Sequence, residues 1–273
     1  MKGKKSNVFI YMILTILAVV FLAPIFIILF NSFKGKLYIS DAPFKLPTAE
    51  TFSGLQNYID GLSKTGFLSA FGWSIFITFF STIVIVLFTA MTGWYITRSK
   101  TKVSTSLYFI FVFSMIVPFQ MVMFTMSKVA NMLNLDNPVG LIVLYIGFGA
   151  GLSIFMFSGF VKSIPIDIEE AALIDGCNPI KTFFLIVLPL LKPICITVAI
   201  LNVMWIWNDY LLPSLVLKSD YKTIPMAVQY LRGGYGAIDM GAMMAVLVLA
   251  IIPIIIFYLT CQKYIIEGVA AGA

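Results

Sequence analysis

The sequence has no histidine, three cysteines and few charges, with Asp, Glu, Lys and Arg making up only 11% of its 273 residues. Each shortage closes a class of function. Without histidine the chain lacks the commonest transition-metal ligand and the commonest general base. No paired carboxylates stand inside its apolar stretches to take over either role, so enzymatic chemistry finds no constellation. Cys177, Cys195 and Cys261 are far apart and form no CxxC pair, which argues against a metal site and for free, reduced thiols. A GxxxxGK[ST] segment is missing too, so ATP has no phosphate loop to bind here. On this reading the chain itself holds neither metal nor cofactor.

Apolar residues are abundant instead: they make up 60% of the chain, and the mean hydropathy is +1.01. Those values lie outside the usual range for a water-soluble domain, so the expected solvent is lipid. A hydrocarbon core of ~30 Å needs about 20 helical residues. Six stretches reach that length: Val8 to Phe30, Ser69 to Thr97, Val103 to Ser127, Pro138 to Val161, Pro193 to Leu217 and Met240 to Gln262. Only the fifth carries a charge, Asp209. Lipid offers no partner to backbone N–H and C=O groups, so each span must be helical or shielded by other helices. The predicted fold class is all-α: a polytopic membrane protein of about six transmembrane helices, with residues 1–273 forming one membrane domain.

Lys2, Lys4 and Lys5 precede the first apolar run as in a secretory signal, but the run is too long and no A-x-A-like site follows, so it reads as a retained helix. An even number of spans puts both termini on one side. The lysine-rich N-terminal tail and the link Arg98-Ser-Lys-Thr-Lys102 place that side in the cytoplasm. Outer loops then fall near 31–68, 128–137 and 218–239, where acids offset the lysines, and a long charged cytoplasmic loop falls near 162–192. The net charge of +6 is spread over loops with no basic face, so it fits membrane topology and not nucleic acid. No internal repeat is evident, which gives no support to an inverted-repeat secondary transporter.

The cytoplasmic loop holds the densest helix punctuation in the chain. Asp167 is expected as an N-cap, with Glu170 three residues on as in a capping box, and Gly176 as the C′ stop. Asn178 then caps a second short helix with Pro179 at its first position, running through Phe183, Phe184, Ile186 and Val187 to Leu188-Pro189. Two short helices thus make an elbow at the membrane surface. Ala171 and Ala172 are small enough to let another protein approach the backbone between them. Physics alone also allows a plain connector between two spans.

Glu170-Ala-Ala172, Gly176, Ile186 and Leu188-Pro189 resemble the EAA loop of ABC importer permeases, matching all seven specified positions across twenty residues. The likeness continues in Leu188-Pro-Leu-Leu-Lys-Pro193, Trp207-Asn-Asp-Tyr-Leu-Leu-Pro213, Thr223-Ile-Pro225 and Gln262-Lys-Tyr-Ile-Ile-Glu-Gly268. Together these segments resemble the six-helix subunit of the maltose-type carbohydrate permeases. That resemblance implies a heterodimer with a second permease in the lipid bilayer, two cytoplasmic ATPase subunits that bind ATP and magnesium, and an external solute-binding protein that delivers a carbohydrate. It assigns ATPase coupling to Glu169, Glu170, Ala171, Ala172, Asp175, Gly176 and Pro189.

Gln120, Asn202, Trp205 and Asn208 are polar or amphipathic residues at membrane depth. A sugar needs amide partners and aromatic faces, so they are candidates for the translocation path; the alternative is hydrogen bonding between helices. Asp209 reads as a cap or interface residue more readily than as a proton-coupling acid. Arg232 and Tyr235, in a glycine-rich outer loop, are candidates for contact with the binding protein. The competing assignment is a permease of the same type for a solute other than sugar, because the EAA loop is shared across importers.

Overall fold

The computed structural model describes residues 2–231 and 239–271, with side chains over 8–231 and 239–264. In chain order the helices are α1 (Lys2–Asn31), α2 (Lys36–Asp41), α3 (Gln56–Thr65), α4 (Phe67–Ser99), α5 (Lys102–Ser114), α6 (Phe119–Met132), α7 (Pro138–Val161), α8 (Ile166–Ile174) and α9 (Pro179–Thr182). A π-helical turn over Phe183–Val187 follows, then α10 (Leu188–Leu190), α11 (Lys192–Asn208), α12 (Leu211–Val216), α13 (Ile224–Tyr230) and α14 (Met240–Ala271). The described residues form no strand beyond an isolated bridge between Lys34 and Phe52. Arg232 and Tyr235 lie outside them.

Among the described residues four helices are singly long and apolar enough to cross a membrane: Val8–Asn31, Phe67–Ser99, Pro138–Val161 and Met240–Tyr264. The number is six if each of two bent pairs counts as one span. The expected third span, Val103 to Ser127, is one of these pairs. Its first half starts on a capping box in which Thr101 and Ser104 exchange hydrogen bonds of 3.1 and 3.0 Å. It stops at Ser114 because Pro118 has no N–H to donate and disfavours a helical residue before it. The chain resumes in α6 at 104° to α5. The expected fifth span, Pro193 to Leu217, also breaks. Asp209 leaves the helical region at φ −74°, ψ 120°, and its Oδ1 accepts from the N–H groups of Leu211 (2.9 Å) and Leu212 (3.3 Å), opening α12. The segments expected as outer loops also contain α2, α3 and α13, short helices that the turn residues hid.

The chain divides into two compact units. One comprises Met1–Ala70 with Ala227–Ile255, the other Phe71–Met226 with Ile256–Ala273. In the first, buried Asn57 donates to the carbonyls of Ser32 (2.8 Å) and Lys34 (2.7 Å), tying α3 to the end of α1. Glycine lets α3 and α14 touch, since a Cβ on Gly61 would come within 2.7 Å of Val246 Cγ2. The Lys34 ammonium is buried, donates to the Ala42 carbonyl at 2.8 Å and lies over the Phe30 ring, and burial lowers its pKa. Lys64 bonds Asp239 at 2.6 Å and Asp60 at 3.4 Å. Burial pushes the Asp239 carboxyl up, but Lys64 and the Ala242 N–H together hold it below its ordinary value. The hydrogen bond to Asp239 is the main cause that raises Lys64. Along α1, no residue of the most apolar window is buried within the chain.

The second unit is built on α4, α7 and α11. Ile77, Ile85, Leu141, Tyr145 and Ile206 form one buried cluster; Ala90, Phe157, Val161, Phe183, Val187 and Val198 form another beside the elbow. Close approach needs Gly93, where a Cβ would stand 2.8 Å from Phe157 Cβ and 3.2 Å from the Ser158 nitrogen. Gly149 plays the same part between Ile85 and Asn202.

Candidate functional site

The elbow begins where Pro165 ends the turn after α7. Pro165, not Asp167, occupies the N-cap of α8, and no side chain caps it, so the expected capping box with Glu170 does not form. Proline offers no side-chain acceptor, so the first N–H groups of α8 receive none from their cap. Asp167 and Glu169 then lie in the first turn, where their charge favours the positive helix end. The other end follows the sequence. Gly176 takes φ +84°, its N–H donates to Leu173 O at 3.1 Å, and the Cys177 N–H donates to Ala172 O at 3.0 Å. Those two bonds define a Schellman stop. Asn178 Oδ1 next accepts from the Lys181 N–H at 2.8 Å, with Pro179 at the first helical position.

The second elbow helix widens into a π turn before Pro189, where the Leu188 N–H reaches back to Phe183 O. Pro189 lacks an N–H and its ring would crowd the carbonyl four residues earlier, so widening relieves the clash. The axis then turns by 78° into α11. Phe183 and Val187 face the core, whereas Phe184 and Leu185 are exposed. On α8, Leu173 and Ile174 are exposed, the latter by 86%, as is Ile180 on α9. Glu170, Ala171, Asp175, Gly176 and Pro189 are also exposed. Ala172 is buried, so the expected open pair of small residues reduces to Ala171 alone.

Glu169 is the exception among the elbow's acids, because it is only 6% exposed. Its Oε1 accepts from Arg98 Nε (2.9 Å) and Nη2 (2.7 Å), and its Oε2 from Trp94 Nε1 (2.8 Å). Arg98 Nη2 also donates to Ile164 O at 2.9 Å, and the Trp94 ring lies 5.6 Å from that of Phe183. The sequence reading counts Arg98 only as an orientation charge and overlooks Trp94. The one signal that could have found them is the doubled acid Glu169-Glu170, two carboxylates where the EAA pattern specifies one.

The four candidates for a path differ in their surroundings. Asn202 is buried and donates to Val198 O (2.8 Å) and Ser153 Oγ (3.3 Å), the interhelical role given as the alternative. Trp205 is 40% exposed, with its ring edge-on to Tyr145 at 5.4 Å. The Tyr145 hydroxyl donates to Asp209 Oδ2 at 3.0 Å, so an aromatic pair is fixed beside the break after α11. Asn208 is exposed and donates to Met204 O on its own helix. Gln120 is exposed at the start of α6. Among the described residues no group of three or more His, Cys, Asp or Glu is placed to hold a metal ion.

Known proteins resemble this chain over its whole length. The "Probable starch degradation products transport system permease protein AmyC" of Thermoanaerobacterium thermosulfurigenes is 39% identical, over 94% of this chain and 93% of that one. The "Multiple sugar-binding transport system permease protein MsmG" of Streptococcus mutans is 35% identical over 100% of this chain and 99% of its own. The "Melibiose/raffinose/stachyose import permease protein MelC" of Bacillus subtilis is 30% identical over 98% and 97%. A solved structure, of a bacterial ABC transporter involved in the import of the acidic polysaccharide alginate, contains a chain of the same fold. It matches with a TM-score of 0.78 at 24% identity, covering 97% of this chain and 98% of that one. The profile of one family matches residues 85–270. An all-α chain of membrane-length helices, carrying an elbow with an exposed apolar surface, therefore belongs to the family of binding-protein-dependent transport system inner membrane components.

Proposed function

We propose that this chain pairs with a second, homologous permease to form the path for a sugar or oligosaccharide. An external solute-binding protein delivers the substrate, and two ATPase subunits, carrying ATP and magnesium, supply the work from the cytoplasm. The observation that carries the substrate class is the end-to-end likeness to permeases named for starch degradation products, multiple sugars and melibiose, raffinose and stachyose. The reading of the elbow as the ATPase dock rests on Leu173, Ile174, Ile180 and Leu185, apolar side chains exposed where a solvated loop would be polar. Both termini and the elbow then face the cytoplasm. Closure of the ATPases moves the docked elbow, and rigid helices carry the displacement inward.

In the path, Trp205 offers an aromatic face to sugar C–H surfaces, with Asn208 and Gln120 as exposed amide partners. Asn202 serves packing instead. Arg232 and Tyr235 remain proposed contacts for the binding protein. The test is uptake of labelled starch-derived oligosaccharides, raffinose and melibiose in cells with and without the gene. Loss of ATP-dependent uptake of at least one, with amino-acid uptake unchanged, is expected; normal uptake of every sugar beside a failing amino acid would select the non-sugar reading.

A further inference from the structure

The elbow joins the rest of the chain covalently through two links. To α7 it is connected by the turn at 162–165, and to α11 through the 78° bend at Leu191. The side-chain hydrogen bonds that leave the elbow run to α4, whose end lies about seventy residues away in sequence: the Trp94 and Glu169 positions differ by 75. Trp94 and Arg98 are four residues apart on a helix and so share one face. From that face Arg98 holds Glu169 Oε1 through two nitrogens and holds Ile164 O in the turn, while Trp94 holds Glu169 Oε2 and packs on Phe183 of the second elbow helix. Both carboxylate oxygens are thus bound to α4, and each elbow helix has its own grip.

The tie is built to be stiff. The Glu169 and Arg98 side chains are 7% and 19% exposed, so salt screens the pair little. A planar guanidinium grips through a fixed fork that a lysine lacks. One residue before Trp94, Gly93 brings α4 and α7 so close that a Cβ would overlap Phe157, leaving no slack to absorb a movement.

We propose that Trp94 and Arg98 are positioning residues that fasten both elbow helices to α4, so that a displacement of the elbow is delivered directly to α4. The proposal rests on the reading of the elbow as the ATPase dock. It goes beyond it by naming the helix that receives the motion and the groups that pass it on. Force enters at the exposed side of α8 and α9 and leaves through the buried side.

The experiment uses the whole complex, with both permeases and ATPases in nanodiscs and the binding protein added. Trp94→Phe keeps the ring on Phe183 and removes the N–H; Arg98→Lys keeps the charge and removes the fork. Both variants are expected to retain ATPase subunits and basal hydrolysis, while substrate moved per ATP falls by between about twofold and about thirtyfold. The exchange Arg98→Glu with Glu169→Arg should recover part of the loss that each single change causes. A second readout, with the native cysteines replaced, is the distance between spin labels at Tyr95→Cys and Leu173→Cys, which should stay constant between nucleotide-free and ATP-trapped complexes that are otherwise wild type and change on trapping in Arg98→Lys. Unchanged transport per ATP in both variants would overturn the proposal. So would a proportional loss of transport and hydrolysis through poor assembly, or a label distance that changes in wild type. A wild-type chain that binds no ATPase would instead refute the docking reading, and this inference with it.

Discussion

Replacing Gly176 tests whether the elbow's shape is stored in one backbone conformation. Its φ of +84° lies where side chains are disfavoured, yet an added Cβ would meet nothing within 4 Å. A substitution there therefore carries a backbone penalty with no packing term to confuse it. The cost is about 1 kcal/mol for Ala and about 2 kcal/mol for β-branched Val, with Asn below Ala because its short amide tolerates the left-handed region. Relief of that strain must come from rotating Asn178 and Pro179, which aim the second helix. A penalty of this size does not prevent insertion, but as a loss of docking energy it weakens ATPase binding about fivefold to about thirtyfold. The assay is titration of fluorescent ATPase subunits onto nanodisc-held permease pairs carrying Gly, Asn, Ala or Val at 176, with melting measured in parallel. Affinity should fall in that order at constant melting temperature. Valine binding as wild type does, or asparagine failing as badly as valine, would refute the reasoning.

Orientation is checked with the native cysteines replaced: Ala49→Cys should react with an impermeant maleimide from outside and Lys162→Cys only from inside, and the reverse would remove the docking model. Gly93→Ala should lower thermal stability in detergent by about 1–3 kcal/mol because its Cβ overlaps Phe157, whereas Gly159→Ala, with nothing within 4 Å, should be neutral or slightly stabilising. The Lys64–Asp239 clamp should hold across neutral pH. Asp239, lowered, contributes above the ordinary carboxylate range and loses that contribution as pH falls through its depressed value; Lys64, raised, contributes below its ordinary value and loses that as pH rises through the elevated one. The protection factor of the Ala242 amide, taken against the intrinsic exchange rate at each pH, should fall in acid in the wild type, and less steeply in Lys64→Met, whose clamp is already gone. Equal acid dependence in both would show that the clamp has no such role.

Features fixed by neighbouring residues were legible in the sequence. Gly176 and Asn178-Pro179 act within one helical turn, and both occupy the expected caps. Asp167 was misplaced because an acid is as comfortable in the first turn as at the cap, and Pro165 starts the helix earlier. Hydropathy found the apolar runs but not their bends, since a residue is equally apolar on either side of a break. Asp209 reads in the sequence as a cap or interface residue, a role that does not by itself reveal the end it puts to α11. Least legible was Glu169, because the partners that bury it come from a helix remote in sequence.

The exposure of α1 has a consequence for how the subunit is made. A first helix whose most apolar window has no residue buried inside its own chain need not wait for later helices before entering the bilayer. It can be released into lipid as soon as it leaves the ribosome. Over residues 8–22, all of them exposed, its side chains answer afterwards to lipid or to another subunit. A saturation scan of Val8–Leu22 would therefore separate two kinds of position. Where lipid is the only neighbour, any apolar residue should do; a stripe of intolerant positions, if one emerges, would trace the footprint of a neighbouring subunit along the helix.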